Sequence, residues 1–206
     1  WVNNGVKQFS VIGNMNAITY KDLFPLIQQT SMWLGATNFN VGMYFEVPES
    51  WEYSASYKFD RERNGKKVSR VPGVCWFSNI EHGKRHQLLP LMTMDDNIKF
   101  SKHREVKGSG YQKYDNYDGI EVPFTDAIPS DFDGVMGVPI SFLNKYNPEQ
   151  FEIVGTFNNG EQGEALGATK IRISVKSKQM IWNGPTVLGV AKYFRVMIRH
   201  RSRYED

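Results

Sequence analysis

Apolar positions first cluster at Phe9, Val11 and Ile12, a run continuous enough to predict a strand with a neighbour on each side. A Gly13-Asn14-Met15-Asn16 turn follows, and Leu23, Phe24 and Ile27 then recur at helical spacing. Thr19, with Asp22 three residues on, approaches a capping box for that helix, and Pro25 past its first turn shortens or bends it. Ahead of the strand, residues 1–7 read as the end of a helix stopped at Asn4-Gly5. Val41, Met43, Phe45 and Val47 alternate with Gly42, Tyr44 and Glu46, the pattern of a strand with one wetter face. Residues 74–77 are a second buried run. Between the two lies the basic segment 58–70 with an Asn64-Gly65 turn signal, so the pattern predicts a hairpin with a long charged tip.

The polar, Gly-Ser-ended stretch 99–110 suggests a boundary near residue 100, giving segments 1–100 and 101–206. Beyond it, residues 139–146 predict a short helix, Asn147-Pro148-Glu149 a turn and residues 151–157 a strand. Ile171, Ile173 and Val175 alternate with Lys170, Arg172, Ser174 and Lys176. Phe194, Val196 and Ile198 alternate with Arg195, Met197, Arg199 and Arg201. Two strands of this kind, apolar on one face and basic on the other, can build one positive sheet surface.

A chain of 206 residues with 40% hydrophobic and 14% aromatic content is long enough and apolar enough to bury a core. No apolar run reaches the length of a membrane span. The single cysteine, Cys75, sits in the apolar run and reads as a packing residue of a reducing, cytoplasmic protein. The net charge of +3 conceals a segregation. Basic residues gather at Lys58, Arg61, Arg63, Lys66, Lys67 and Arg70, again from Lys84 and Arg85 to Lys107, and again from Lys192 to Arg203, whereas Asp115, Asp118, Glu121, Asp126, Asp131 and Asp133 form an acidic stretch. Such territories suit a polyanion partner, or merely a solvated face.

Several spacings hint at chemistry without completing it. His82 and His86 are spaced as metal ligands, but Lys84 and Arg85 lie between them. Asp131 and Asp133 echo part of a calcium loop that lacks its remaining ligands. Asp95-Asp96 followed by Glu105 and Lys107 is the shorthand of a magnesium-dependent nuclease. Tyr111, Tyr114 and Tyr117, interleaved with Lys113, could stack on bases or pack against the protein. No P-loop, dinucleotide fingerprint or nucleophile elbow is present.

Three blocks are more specific: VIGNMNAITYKDLFPLI, VPGVCWFSNI and DGVMGVPISFLNKYNPEQFEIVG. They span most of the chain in order and resemble the EcoRI-type adenine-specific DNA methyltransferases. The resemblance implies an α/β fold in which residues 1–100 are the C-terminal part of a Rossmann-like methyltransferase sheet, followed by a mixed α+β, strand-rich module for target recognition. It implies transfer of a methyl group from S-adenosyl-L-methionine to adenine N6 in double-stranded DNA, in a cytoplasmic restriction-modification system with a cognate restriction endonuclease. The family's aromatic-Gly cofactor loop and Asn-Pro-Pro-aromatic tetrad are absent from these residues. The run at 9–12 would then be the fifth strand, the N-terminal half of the catalytic domain would be missing, and the chain would be inactive alone.

No catalytic, cofactor or metal ligand is therefore expected here. Asn14 and Asn16, in a turn just beyond a strand's carboxyl end, can bind the flipped base, its phosphate or the cofactor-side loop, or simply shape the turn. The expected DNA contacts are Arg61, Arg63, Lys66, Lys67, Arg70, Lys84, Arg85, Arg172, Arg195, Arg199 and Arg201. A non-catalytic DNA-binding protein and a metal-dependent nuclease are the alternatives.

Overall fold

The computed structural model describes residues 7–36 and 41–201. The helix end expected at residues 1–7 therefore falls almost wholly outside the described residues, as does Arg203. The chain is mixed α/β, with several small sheets and few helices, and divides into two compact units, Trp1–His82 and Gly83–Asp206. The polar stretch 99–110 lies inside the second unit.

In the first unit, β1 (Ser10–Asn14) runs into a 3-10 turn, Met15–Thr19, that buries Ile18 completely. A short helix, α1 (Phe24–Gln28), turns Phe24 and Ile27 inward three residues apart. Pro25 stands in its first turn, where a missing N–H costs nothing, rather than past it. Thr19 does not cap α1: its hydroxyl donates to the Asn16 carbonyl at 2.8 Å and closes the 3-10 turn. There follow β2 (Trp33–Leu34), β3 (Met43–Glu46), β4 (Glu62–Arg63), β5 (Lys66–Val71) and β6 (Val74–Ser78).

Pairing departs from the sequence expectation in two places. Strand β1 has one neighbour among the described residues, β6, and forms the edge of the order β1-β6-β2. Its half-buried Val11 and Gly13 alternate with exposed positions, leaving Ile12 43% exposed. The predicted hairpin between β3 and residues 74–77 is also corrected. Strand β3 pairs with β5, which pairs with β4 through the Asn64-Gly65 turn, so the order is β3-β5-β4. Both turn residues have positive φ (52° and 72°), as a two-residue type I′ hairpin requires. Strands β5 and β6 are successive lengths of chain in different sheets, bent apart at Pro72-Gly73. The Gly73 carbonyl at this elbow accepts a 2.7 Å hydrogen bond from the Met15 amide.

The second unit begins with a 3-10 turn, Gly83–His86, followed by α2 (Met94–Phe100), whose N-terminus is capped twice. Thr93 Oγ1 accepts from the Asp96 amide at 3.1 Å and Asp131 Oδ1 from the Met94 amide at 2.7 Å. Next come β7 (Gln112–Lys113), β8 (Ile120–Glu121), β9 (Met136–Val138), β10 (Phe151–Phe157) and α3 (Glu161–Leu166). The chain then forms β11 (Ile171–Val175), β12 (Lys178–Trp182), β13 (Thr186–Val187), β14 (Val190–Ala191) and β15 (Arg195–His200). The main sheet has the order β10-β15-β9-β8-β7, with β8 and β9 parallel and the other pairs antiparallel. The short helix expected at residues 139–146 is present as a 3-10 helix (Ile140–Lys145) after the Pro139 N-cap, and it buries Phe142 against Phe151 at 5.2 Å between ring centres.

Strand β15 is covered on both faces: Val196, Met197 and Ile198 are all fully buried, with Met197 in a cluster with Tyr114, Phe157, Ala168 and Val187. Among the described residues, strand β11 pairs only with β12, in a separate two-stranded sheet. The single positive surface expected from β11 and β15 does not form, because alternation fixes which face a residue takes but not which strand lies beside it.

Candidate nucleic-acid interface

In the first unit, cations and aromatic rings are interleaved on the β3-β5-β4 sheet. The Arg63 guanidinium lies 3.4 Å from the centre of the Tyr44 ring, Arg70 4.2 Å from Phe59 and Arg61 4.9 Å from Tyr53, with Lys67 Nζ 5.8 Å from that same ring. The rings brace one another, Tyr53 on Tyr57 at 4.7 Å and Tyr57 edge-on to Phe59 at 5.6 Å. Hydroxyls fix them to backbone: Tyr53 donates to the Val68 carbonyl at 2.7 Å, and Tyr57 accepts from the Arg70 amide at 2.7 Å. A guanidinium stacked on a ring still has its edge for hydrogen bonding, and each exposed cation-ring contact is worth about 0.5–1 kcal/mol.

Carboxylates and carbonyls hold the same cations in place. Arg63 meets Asp60 at 2.8 Å and its hydrogen bond holds the Asp60 carboxyl below the usual range; Lys66 meets Glu46 at 2.6 Å. Arg70 Nε donates to the Val41 carbonyl at 2.7 Å, and Lys67 donates to the Glu49 carbonyl. The ion pairs are exposed, so a polyanion can exchange for the carboxylates at little cost.

The Asn14 side chain accepts from the Asn16 amide at 2.8 Å and caps the 3-10 turn. Shaping the turn is thus a role the structure gives Asn14.

In the second unit the predicted residues part company. Lys84 donates to Asn144 Oδ1 at 3.2 Å, and burial, helped by the neighbouring charge of Lys145, lowers its pKa. Arg85 is buried. Arg172 is exposed on β11, with no salt bridge in the described residues. Arg199 is paired with Glu152 at 2.6 Å, which holds that carboxyl low, and Arg201 Nε donates to the Pro148 carbonyl at 2.5 Å.

Arg195 is enclosed. Its side chain is 13% exposed and that of Glu121 9%. Arg195 Nε donates to both Glu121 oxygens at 3.0 and 3.1 Å, and Nη2 to Oε1 at 2.5 Å. Tyr114 completes the network by donating to Glu121 Oε2 at 2.5 Å, and burial, with the Glu121 charge, raises its pKa well above the ordinary tyrosine value. Only glycine fits at 137, where a Cβ would stand 2.0 Å from the Tyr114 hydroxyl oxygen.

The tyrosine segment packs inward instead of presenting rings. Tyr111 donates to the Ala127 carbonyl, Tyr114 is buried, and Tyr117 tilts against Phe157 at 5.4 Å. His82 and His86 face separate partners, the Leu34 carbonyl and Glu149, and Asp131 is spent on the α2 cap. Among the described residues no group of three His, Cys, Asp or Glu could hold a metal ion. The rings under the cations were the part missed in the sequence; Tyr53, Tyr57 and Phe59, spaced close before a basic strand, were the available signal.

A cavity of about 220 Å³ lies between Lys84, Lys145, Leu88, Leu91 and Asp126. It does not fit S-adenosyl-L-methionine. It is smaller than typical cofactor sites, two lysines flank it against a sulfonium cation, and Asp126 is committed to Lys102 at 2.6 Å and His103 at 2.7 Å. No helix of the described residues is long and apolar enough to cross a membrane.

The family model described as adenine-specific methyltransferase EcoRI matches residues 3–201. The chain is 37% identical over 198 residues to the type II methyltransferase M.EcoRI of Escherichia coli, covering 95% of this chain and 51% of that protein. It is 32% identical to the type II methyltransferase M.MpnI of Mycoplasma pneumoniae, and 34% to M.MgeORF184P of Mycoplasma genitalium, over 95% of this chain and 57% and 58% of theirs. The chain thus spans about half the length of the curated relatives it matches. No solved structure matches it.

Proposed function

Because the chain belongs to the EcoRI family of adenine-specific methyltransferases, we propose that it is the DNA-gripping part of a restriction-modification enzyme that methylates adenine N6 in double-stranded DNA. The observation that carries this reading is the cation-aromatic array of the β3-β5-β4 sheet. Five cations, Arg61, Arg63, Lys66, Lys67 and Arg70, stand on or beside this sheet, and four of them are held against rings. Such a surface presents pre-positioned charge to a phosphate backbone. Lys84, Arg172, Arg199 and Arg201 extend the grip in the second unit, while Arg85 and Arg195 support it from inside.

On this reading β1, β6 and β2 are the end of a Rossmann-like sheet, and the Asn14–Asn16 turn faces the extruded adenine. S-adenosyl-L-methionine supplies the methyl group, held by sequence that the relatives' additional length provides. This chain's residues contribute binding and orientation of the duplex, and catalysis by positioning. The setting is a reducing cytoplasm, in company with a cognate endonuclease. It suits Cys75, whose thiol burial pushes up to about 11.

The test is salt dependence. Duplex affinity measured against salt should fall with a slope that flattens by about 0.9 for each phosphate contact removed, so Lys66→Ala with Lys67→Ala should flatten it by roughly 1.8. An unchanged slope would remove this sheet from the interface.

A further inference from the structure

The hairpin β13-β14 ends in an apolar tip that its own fold does not need. Thr186 pairs with Ala191 and Val187 with Val190, which leaves Leu188 and Gly189 as a two-residue loop. Both have positive φ, 51° and 74°. Glycine takes that conformation freely, but a leucine there is strained, and asparagine or aspartate is the ordinary occupant of the position. The strain is held by Asp115, whose two carboxylate oxygens accept from the Leu188 amide at 3.1 Å and the Gly189 amide at 2.7 Å. The Asp115 amide donates in turn to the Thr186 carbonyl at 2.8 Å, and Asn116 Nδ2 donates to the Gly184 carbonyl at 2.9 Å.

The hairpin is rigid below and bare above. Residues 183–187 are buried, whereas Leu188 is 76% exposed and Val190 beside it 58%. A strained backbone that spends a carboxylate on holding an apolar side chain in water points to a use for that side chain. The surroundings say which. Lys192 follows β14, and β14 lies beside β11, which carries the exposed Arg172. An apolar point flanked by cations suits a nucleic-acid duplex, where phosphates meet the charges and the point enters the base stack.

We propose that Leu188 is a wedge that enters the DNA base stack and fills the space a base leaves when it is turned out. This inference rests on the DNA-methyltransferase reading above, which requires the adenine to leave the stack. Asp115 is a positioning residue that fixes the wedge's direction.

The experiment compares binding of the 206-residue chain, at one low salt concentration, to an intact duplex and to the same duplex with a single abasic site. Unmodified chain should prefer the abasic duplex by roughly tenfold or more, the effect of burying one leucine side chain. Leu188→Asn, which suits the positive φ and should fold at least as well, should lose that preference while keeping its affinity for intact duplex within about twofold. Leu188→Met should retain the preference. Equal binding of both duplexes by all three proteins would overturn the wedge and leave the DNA reading standing. Failure to bind any duplex would overturn both. A Leu188→Asn effect seen only in sedimentation, as lost self-association, would assign the tip to a protein contact and overturn the proposal.

Discussion

Removing the Arg195 side chain separates a structural arginine from a DNA-reading one. In Arg195→Ala the Glu121 carboxylate, 9% exposed, keeps only the Tyr114 hydroxyl and loses all three guanidinium hydrogen bonds. Stripping one partner from a buried pair costs about 3–5 kcal/mol, because the remaining charge stays buried without compensation. With a urea slope of about 1.5–2 kcal/mol/M, the unfolding midpoint should drop by roughly 1.5–3 M. Arg199→Ala is the internal control: its pair with Glu152 is 53% and 40% exposed, so the loss should stay within about 1 kcal/mol. Replacing both members, Arg195→Met with Glu121→Leu, should recover part of the stability, since no charge is then buried and only the Tyr114 hydroxyl loses its acceptor. That double variant should also bind cognate and scrambled duplex with unchanged preference. The reasoning fails if Arg195→Ala unfolds with the same midpoint as Arg199→Ala, or if the folded double variant loses its cognate preference.

Two further outcomes follow from the second unit. Gly137→Ala should destabilise it by about 1–3 kcal/mol in urea melts, because the Tyr114 hydroxyl oxygen and Cζ would lie 2.0 and 2.8 Å from the new methyl group; a neutral result would mean that β9 can shift freely. For Asp126, burial raises the pKa, but hydrogen bonds from Lys102 and His103 outweigh it and bring the value below the ordinary 3.8. Its contribution is therefore complete above pH 3.8 and lost as pH falls through the lower folded value. The stability difference between the unmodified protein and Asp126→Asn should shrink as the pH falls below that value; a difference that grows on acidification would reverse the sign.

What the sequence disclosed was local. Strand β10 occupies residues 151–157, as its pattern predicts, and the Asn64-Gly65 turn falls where its dipeptide places it, because both depend on neighbours in the chain. Partners were not legible. The alternation in β3 identifies a strand equally well whether β5 or β6 lies beside it. Along β15, alternation placed Arg195 with Arg199 and Arg201 on a wet face. The three consecutive apolar residues Val196-Met197-Ile198 were the contrary sign, that of a strand covered on both sides. The cation-aromatic stacks depend on the fold of the 51–59 segment over β5, which no periodicity encodes. Charge segregation located the basic sheet but could not distinguish an enclosed arginine from an available one.

The elbow at Pro72-Gly73 has a mechanical consequence. Proline holds φ near roughly −65°, so the compliance of the bend resides in Gly73, at φ 70°. On one side of this single pivot is the cation-bearing strand β5, and on the other is β6, zipped to β1 over five residue pairs from Ser10↔Ser78 to Asn14↔Val74. The pivot's own carbonyl is tied to Met15, between the two asparagines of the turn. A torque applied to β5 therefore has a covalent and hydrogen-bonded path to Asn14 and Asn16 only a few bonds long. Basic strand and turn are in this sense two arms of one lever.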